Sequence, residues 1–183
     1  MQFNDIEVEP LKIKAIMINE VVPCDSQQDF YGIADADYLK TTIALFKKAG
    51  LAVSGIGEIL QRGIYITNAV KNLKSEYTID KSSIEKSLPY LEKEISLFQN
   101  VKVIMLMGDV AKKSFNMMTK KATKKNVIPA IATYKLRYSR IYYGNIRVIP
   151  SYIMTGGNIL IEKSKFEIAG EDIATMLEII KSN

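Results

Sequence analysis

Four short stretches, Ile13 to Ile18, Ile64 to Thr67, Val101 to Met107 and Ile146 to Ile149, are almost continuously apolar and rich in β-branched residues. They lack the alternation of a strand with one wet face, and so suit parallel strands covered on both sides. Parallel neighbours need long crossovers, and the intervening segments carry helical periodicity. Tyr38 to Ala49 gathers Leu39, Ile43, Leu45 and Phe46 on one side and stops at Gly50; Ser83 to Phe98 does the same with Ile84, Leu88, Leu91, Ile95 and Phe98. Ser83 is the predicted N-cap of that helix, without a capping box because Lys86 stands at the third position. Further helices are predicted just after Gly108 and from Ala169 to Lys181. No repeat or linker divides the chain, so residues 1–183 are expected to form one α/β domain, a three-layer α/β/α sandwich around a four-stranded, mostly parallel sheet.

Composition excludes whole classes of chemistry. The chain has no histidine and one cysteine, Cys24, which removes Cys/His zinc sites, iron-sulfur clusters and every Ser-His or Cys-His nucleophile pair. Acid and base work must fall to carboxylates, lysine or tyrosine. No metal or other cofactor is expected. No apolar run approaches the ~18 residues of a membrane span, and Met1-Gln2-Phe3-Asn4-Asp5 lacks the basic and apolar segments of a secretory signal. A cytoplasmic location is the expectation.

Charge is unevenly distributed. No acidic residue lies between Asp109 and Glu162, while Lys112, Lys113, Lys120, Lys121, Lys124, Lys125, Lys135, Arg137, Arg140 and Arg147 all do. With a net charge of +5, the remainder of the chain is net acidic. Tyr134, Tyr138, Tyr142 and Tyr143 are interleaved with these cations, a pattern that suits a polyanion such as nucleic acid, or a solvated lysine-rich face.

In open parallel sheets, ligands bind beyond the carboxyl ends of the strands. There the sequence places Asn19-Glu20-Val21-Val22-Pro23 and Asp29-Phe30-Tyr31-Gly32, then Asn68-Ala69-Val70-Lys71, Gly108-Asp109 and Pro150-Ser151. These segments, in this order, resemble the motifs of the uracil-DNA glycosylase superfamily. Ile64 to Lys71 looks like the strand that ends in the base-reading Asn, Val103 to Ala111 like the strand-Gly-helix segment, and Pro150-Ser151 like the end of the H-P-S motif. Asn19 to Pro23 is similar to the G-E-A-P-G motif of the class that carries an iron-sulfur cluster.

The resemblance implies a DNA-repair glycosylase that hydrolyses the N-glycosidic bond of uracil or another deaminated base flipped out of DNA. By the same resemblance Asn68 reads the base edge and Phe30 stacks on the base, with Tyr31 as the alternative ring. Glu20 is the acid that activates water or stabilises the sugar cation. A register shifted by one residue makes Asp25 the acid instead. Ser151 and the basic segment, including Lys112, Lys113, Lys120, Lys121, Arg137 and Arg140, would grip DNA. Ile149 stands where the motif has His, and loss of one such donor costs about 10²–10³ in rate. A catalytically reduced DNA- or protein-binding module is therefore the second reading, and a nucleoside hydrolase the third. For Gly108, packing against the sheet is favoured over phosphate contact, because Asp109 repels an anion there.

Overall fold

A computed structural model describes residues 2–3, 6–76 and 78–182. Two-residue strands β1 (Gln2–Phe3) and β2 (Ile6–Glu7) form an antiparallel pair apart from the main sheet. The main sheet contains β3 (Ala15–Val22), β4 (Ile64–Leu73), β5 (Val103–Met107), β6 (Ile141–Tyr143) and β7 (Ile146–Ser151), in the order β4-β3-β5-β7-β6. The first four in that order are parallel and are the four strands expected from sequence. The fifth, β6, is an antiparallel edge strand hairpinned to β7 through Gly144, whose φ of 58° a side chain would strain. At three residues β6 is too short to show a period, which is why the sequence did not reveal it.

The helices are α1 (Asp37–Lys48), α2 (Ile56–Gln61), α3 (Lys81–Ser96), α4 (Asp109–Thr123) and α5 (Thr133–Leu136) in the connections between strands, and α6 (Asn158–Ile161) and α7 (Lys163–Lys181) after β7. Helices α1 and α7 pack together on one face of the sheet, and α3 and α4 on the other, completing the α/β/α sandwich. The apolar side of α1 is buried as its spacing predicts, through Leu39, Leu45 and Phe46. The N-cap of α3 is Asp80 rather than Ser83: the Asp80 carboxylate accepts from the Ser83 backbone N–H at 2.7 Å. A carboxylate outcompetes a hydroxyl there because it also faces the positive end of the helix. Helix α7 starts six residues before the predicted Ala169, since its first turns are polar and carry no apolar stripe.

β3 lies between β4 and β5, so the chain crosses it on the way from β4 to β5. This puts the crevice of the sheet beyond the carboxyl ends of β3 and its neighbours. Helix α4 begins at that end, just after β5, and runs back along the sheet. Its 15 residues span about 22 Å. Its last turn, with Lys120 and Lys121, therefore stands at the opposite end of the sheet from the crevice.

Candidate active site

Along β4, a cavity of about 540 Å³ is lined by Asp29, Phe30, Tyr31, Thr67, Asn68, Lys71 and Glu94, among others. Its central feature follows from strand register. Asn19 of β3 and Asn68 of β4 are Cα partners in a parallel pair, so their side chains share a face. Asn19 Nδ2 donates to Asn68 Oδ1 at 2.8 Å, and Thr155 Oγ1, from the loop after β7, donates to Asn19 Oδ1 at 3.2 Å. Asn68 Nδ2 in turn donates to both carboxylate oxygens of Asp29, at 2.9 and 3.0 Å. This buried chain sets the direction of the Asn68 amide, with its carbonyl toward Asn19 and its NH₂ toward Asp29.

Asp29 is pinned a second time by the Phe30 backbone N–H, which donates to Oδ1 at 2.9 Å. Burial pushes its carboxyl above the usual carboxylate range, against the opposing bonds from Asn68 and Phe30. The aromatic walls are Phe30, Tyr31, Tyr65 and Tyr90. Phe30 packs on Tyr38 with centroids 5.4 Å apart. The Tyr31 hydroxyl donates to the carbonyl of Ile66 at 2.9 Å on the outer edge of β4, and burial raises its pKa. On the α3 side, Glu94 accepts from Tyr65 and pairs with Lys71, while Thr67 Oγ1 lies 2.9 Å from each Glu94 oxygen. Lys71 Nζ also donates to Thr67 Oγ1 at 2.7 Å.

Of the residues expected from sequence, the cavity brings together Asn68, Phe30 and Tyr31. Glu20 is placed elsewhere. It is half-buried at the N-terminus of α4, where Oε1 accepts from the Val110 N–H at 3.0 Å, and burial raises its pKa. Gly108 has a φ of 107°, and a Cβ on it would lie 2.3 Å from Glu20 Oε1. The Glu20 carboxylate thus occupies the place an anion would take at this helix end, and Gly108 admits it. The alternative acid, Asp25, is exposed and caps the short 3₁₀ turn Ser26–Gln28 through Gln27. Neither acid lines the cavity.

The expected DNA-gripping residues are scattered. Ser151 is fully buried and donates to Asp172 Oδ2 at 2.7 Å, so in this conformation it faces the interior, not a DNA backbone. Arg137 is likewise committed, to Asp172 at 3.0 Å and Glu171 at 2.6 Å. Lys112 pairs with Asp109 at 2.6 Å and donates to Thr133. Lys113, Lys120, Lys121 and Arg140 are exposed, but of these only Lys113 lies in the part of α4 nearest the cavity. Sequence reasoning did not single out Asp29, Asn19, Lys71 or Glu94. For Asp29 the signal was its place immediately before the aromatic pair; Glu94 lies in a distant helix and gave none.

A family model for the uracil DNA glycosylase superfamily matches residues 25–155, more than half of the chain. The chain belongs to this superfamily. Membership supports a glycosylase-like function in DNA repair, with DNA as the partner. No curated protein matches the chain significantly. The iron-sulfur cluster of the class that the first motif resembles does not fit here. A cluster needs several thiolates, and the chain has Cys24 alone, exposed on the surface. No described helix is long and apolar enough to cross a membrane.

Proposed function

We propose that the protein removes uracil, or another deaminated base with the same hydrogen-bonding edge, from DNA by hydrolysis of the N-glycosidic bond. The observation that carries this reading is the Asn68–Asp29 pair: a base-reading amide and a buried carboxylate held against each other in one aromatic-walled cavity. The Asn68 carbonyl has two lone pairs and gives one to Asn19, which leaves the other for the N3–H of uracil. One hydrogen of its NH₂ serves O4. Cytosine reverses both positions and is rejected by unpaired polar groups. Tyr31 and Tyr90 supply the surface against which an extruded base regains part of its lost stacking, while the Phe30 ring, 1% exposed, is packed into the core.

Asp29 is the acid in this reading. Its carboxylate takes a proton from water as the water oxygen bonds to C1′, and the C1′–N1 bond breaks with its electron pair leaving on the base. Lys71 is the cation lining the cavity among the described residues, held by Glu94 and Thr67. Its positive charge stabilises the departing anionic base, the task for which an imidazole is lacking at Ile149. The reading is tested by single-turnover cleavage of a uracil-containing oligonucleotide, followed by alkaline scission of abasic sites. Wild type is expected to release uracil, Asn68→Ala to abolish release, and Asp29→Asn to slow it by about 10²–10⁴. No release by wild type, beside an active control glycosylase, rejects uracil as the substrate. The reduced, binding-only reading then stands, for which Ile149 is the specific support.

A further inference from the structure

A second cavity, of about 560 Å³, lies at the opposite end of the sheet, where β5 and β7 begin. Lys102, Arg140 and Arg147 line it, with Tyr142, Asn145 and Ser182. Lys102 and Arg147 are held in place by the fold, and Arg140 is exposed beside them. Arg147 Nη2 donates to the Ser139 carbonyl at 3.1 Å and Nη1 to that of Ile141 at 3.4 Å, and the guanidinium lies 5.5 Å from the Tyr142 ring centroid. Lys102 Nζ donates to the Ser182 carbonyl at 2.7 Å, and the Arg147 backbone N–H bonds the Lys102 carbonyl at 2.9 Å. No ion pair to a carboxylate involves Lys102, Arg140 or Arg147 among the described residues. Arg137, four residues after Thr133, shows the contrast by having two.

Holding like charges together at a half-buried site is unfavourable unless an anion joins them. Burial lowers the Arg147 pKa, Tyr142 opposes that shift, and the neighbouring Arg140 adds to it. Tyr142 is 54% exposed, which leaves one ring face open beside the cations. The last turn of α4, with Lys120 and Lys121, stands at this same end of the molecule.

We propose that this cavity is a second, phosphate-binding site that takes a nucleotide, its phosphate among Lys102, Arg140 and Arg147 and its base on the open face of Tyr142. The phosphate comes either from a free nucleotide or from a DNA strand, and the site is independent of the cavity at Asn68.

The test is calorimetric titration at low ionic strength with inorganic phosphate, thymidine, thymidine 5′-monophosphate and a short oligothymidylate. Wild type is expected to bind the monophosphate at least about tenfold more tightly than thymidine, and Arg140→Glu to weaken that binding at least about tenfold. Arg140 and Tyr142 are exposed, so both substitutions leave the fold intact, whereas Arg147 is tied to two carbonyls and is left in place. Tyr142→Ala is expected to weaken the monophosphate and spare inorganic phosphate. Asn68→Ala is expected to leave the affinity for inorganic phosphate and the Arg140-dependent part of monophosphate binding unchanged while abolishing uracil release, which separates this site from the glycosylase reading. An oligonucleotide bound far more tightly than the monophosphate, with that advantage abolished in Arg140→Glu, identifies the DNA strand as the occupant; equal affinities identify the free nucleotide. Equal binding of thymidine and its monophosphate, no effect of Arg140→Glu, or loss of inorganic phosphate binding in Asn68→Ala overturns the proposal.

Discussion

The base reading proposed for Asn68 requires an amide that does not rotate, and the residues on either side of it enforce that. Asn19 and Asp29 present an N–H donor and a carboxylate, so a flipped amide would meet donor with donor and lose both bonds. Asn19→Ala is accordingly expected to reduce uracil discrimination over cytosine as well as rate, measured as the ratio of single-turnover constants on the two substrates. The acid beside it carries a pH signature. Between the ordinary carboxylate pKa and the raised value of Asp29, the folded chain keeps a proton that the unfolded chain has lost, so this group's contribution to stability declines as pH rises through that window. Glu20 and Asp172 are raised by burial too and act in the same direction. Asp29→Asn is expected to cut single-turnover rate by about 10²–10⁴ and to leave stability at neutral pH equal or higher, read by urea denaturation. A loss of stability parallel to the loss of rate would assign Asp29 a structural role instead.

The element that most changes the meaning of a residue is α4. Its first N–H groups point at the end of β3, and Glu20 reaches across to accept from Val110, so an acid that matches a catalytic motif works here as a helix cap. Glu20→Gln retains an acceptor and is expected to keep uracil release within a few-fold of wild type. Glu20→Ala removes the cap and is expected to cost about 1 kcal/mol in urea denaturation. If Glu20→Gln loses as much rate as Asp29→Asn, the acid assignment moves back to Glu20. Gly108→Ala forces both a φ of 107° and a clash with the Glu20 side chain, for an expected loss on the order of 1–3 kcal/mol. A comparable knot ties α7 to the sheet. Asp172, 7% exposed at its side chain, is bonded by Ser151 and Arg137. Arg137→Met strands that carboxylate and is expected to destabilise the protein by about 3 kcal/mol, visible as a lowered Tm.

Across the whole molecule, most of the basic segment is separated from the Asn68 cavity. Asn68, within β4, and Asp29 sit toward the carboxyl-end side of the sheet, whereas Lys120, Lys121, Lys102, Arg140 and Arg147 lie at the other end. Reversing Lys120 and Lys121 together is therefore expected to flatten the dependence of log DNA affinity on log salt, by about 0.7–0.9 for each phosphate no longer neutralised. Single-turnover rate at saturating DNA should stay unchanged. A fall in that rate would show that the end of α4 reaches the reacting strand. The sequence alone determined the layer architecture, because continuous apolar runs and helical spacing are properties of neighbouring residues: four parallel strands, α1, α3 and α4 all follow from local pattern. Its motif order also marked Asn68 as a candidate, and the absence of histidine is a matter of composition. Only the tertiary structure decided which carboxylate shares the cavity, since Glu20, Asp25 and Asp29 lie within ten residues of one another and differ in what strand register and helix ends place beside them. It likewise decided that Ser151 and Arg137 serve the interior and that Arg140 and Arg147 stand together. Contacts between residues distant in sequence are set by packing, and no local period encodes them.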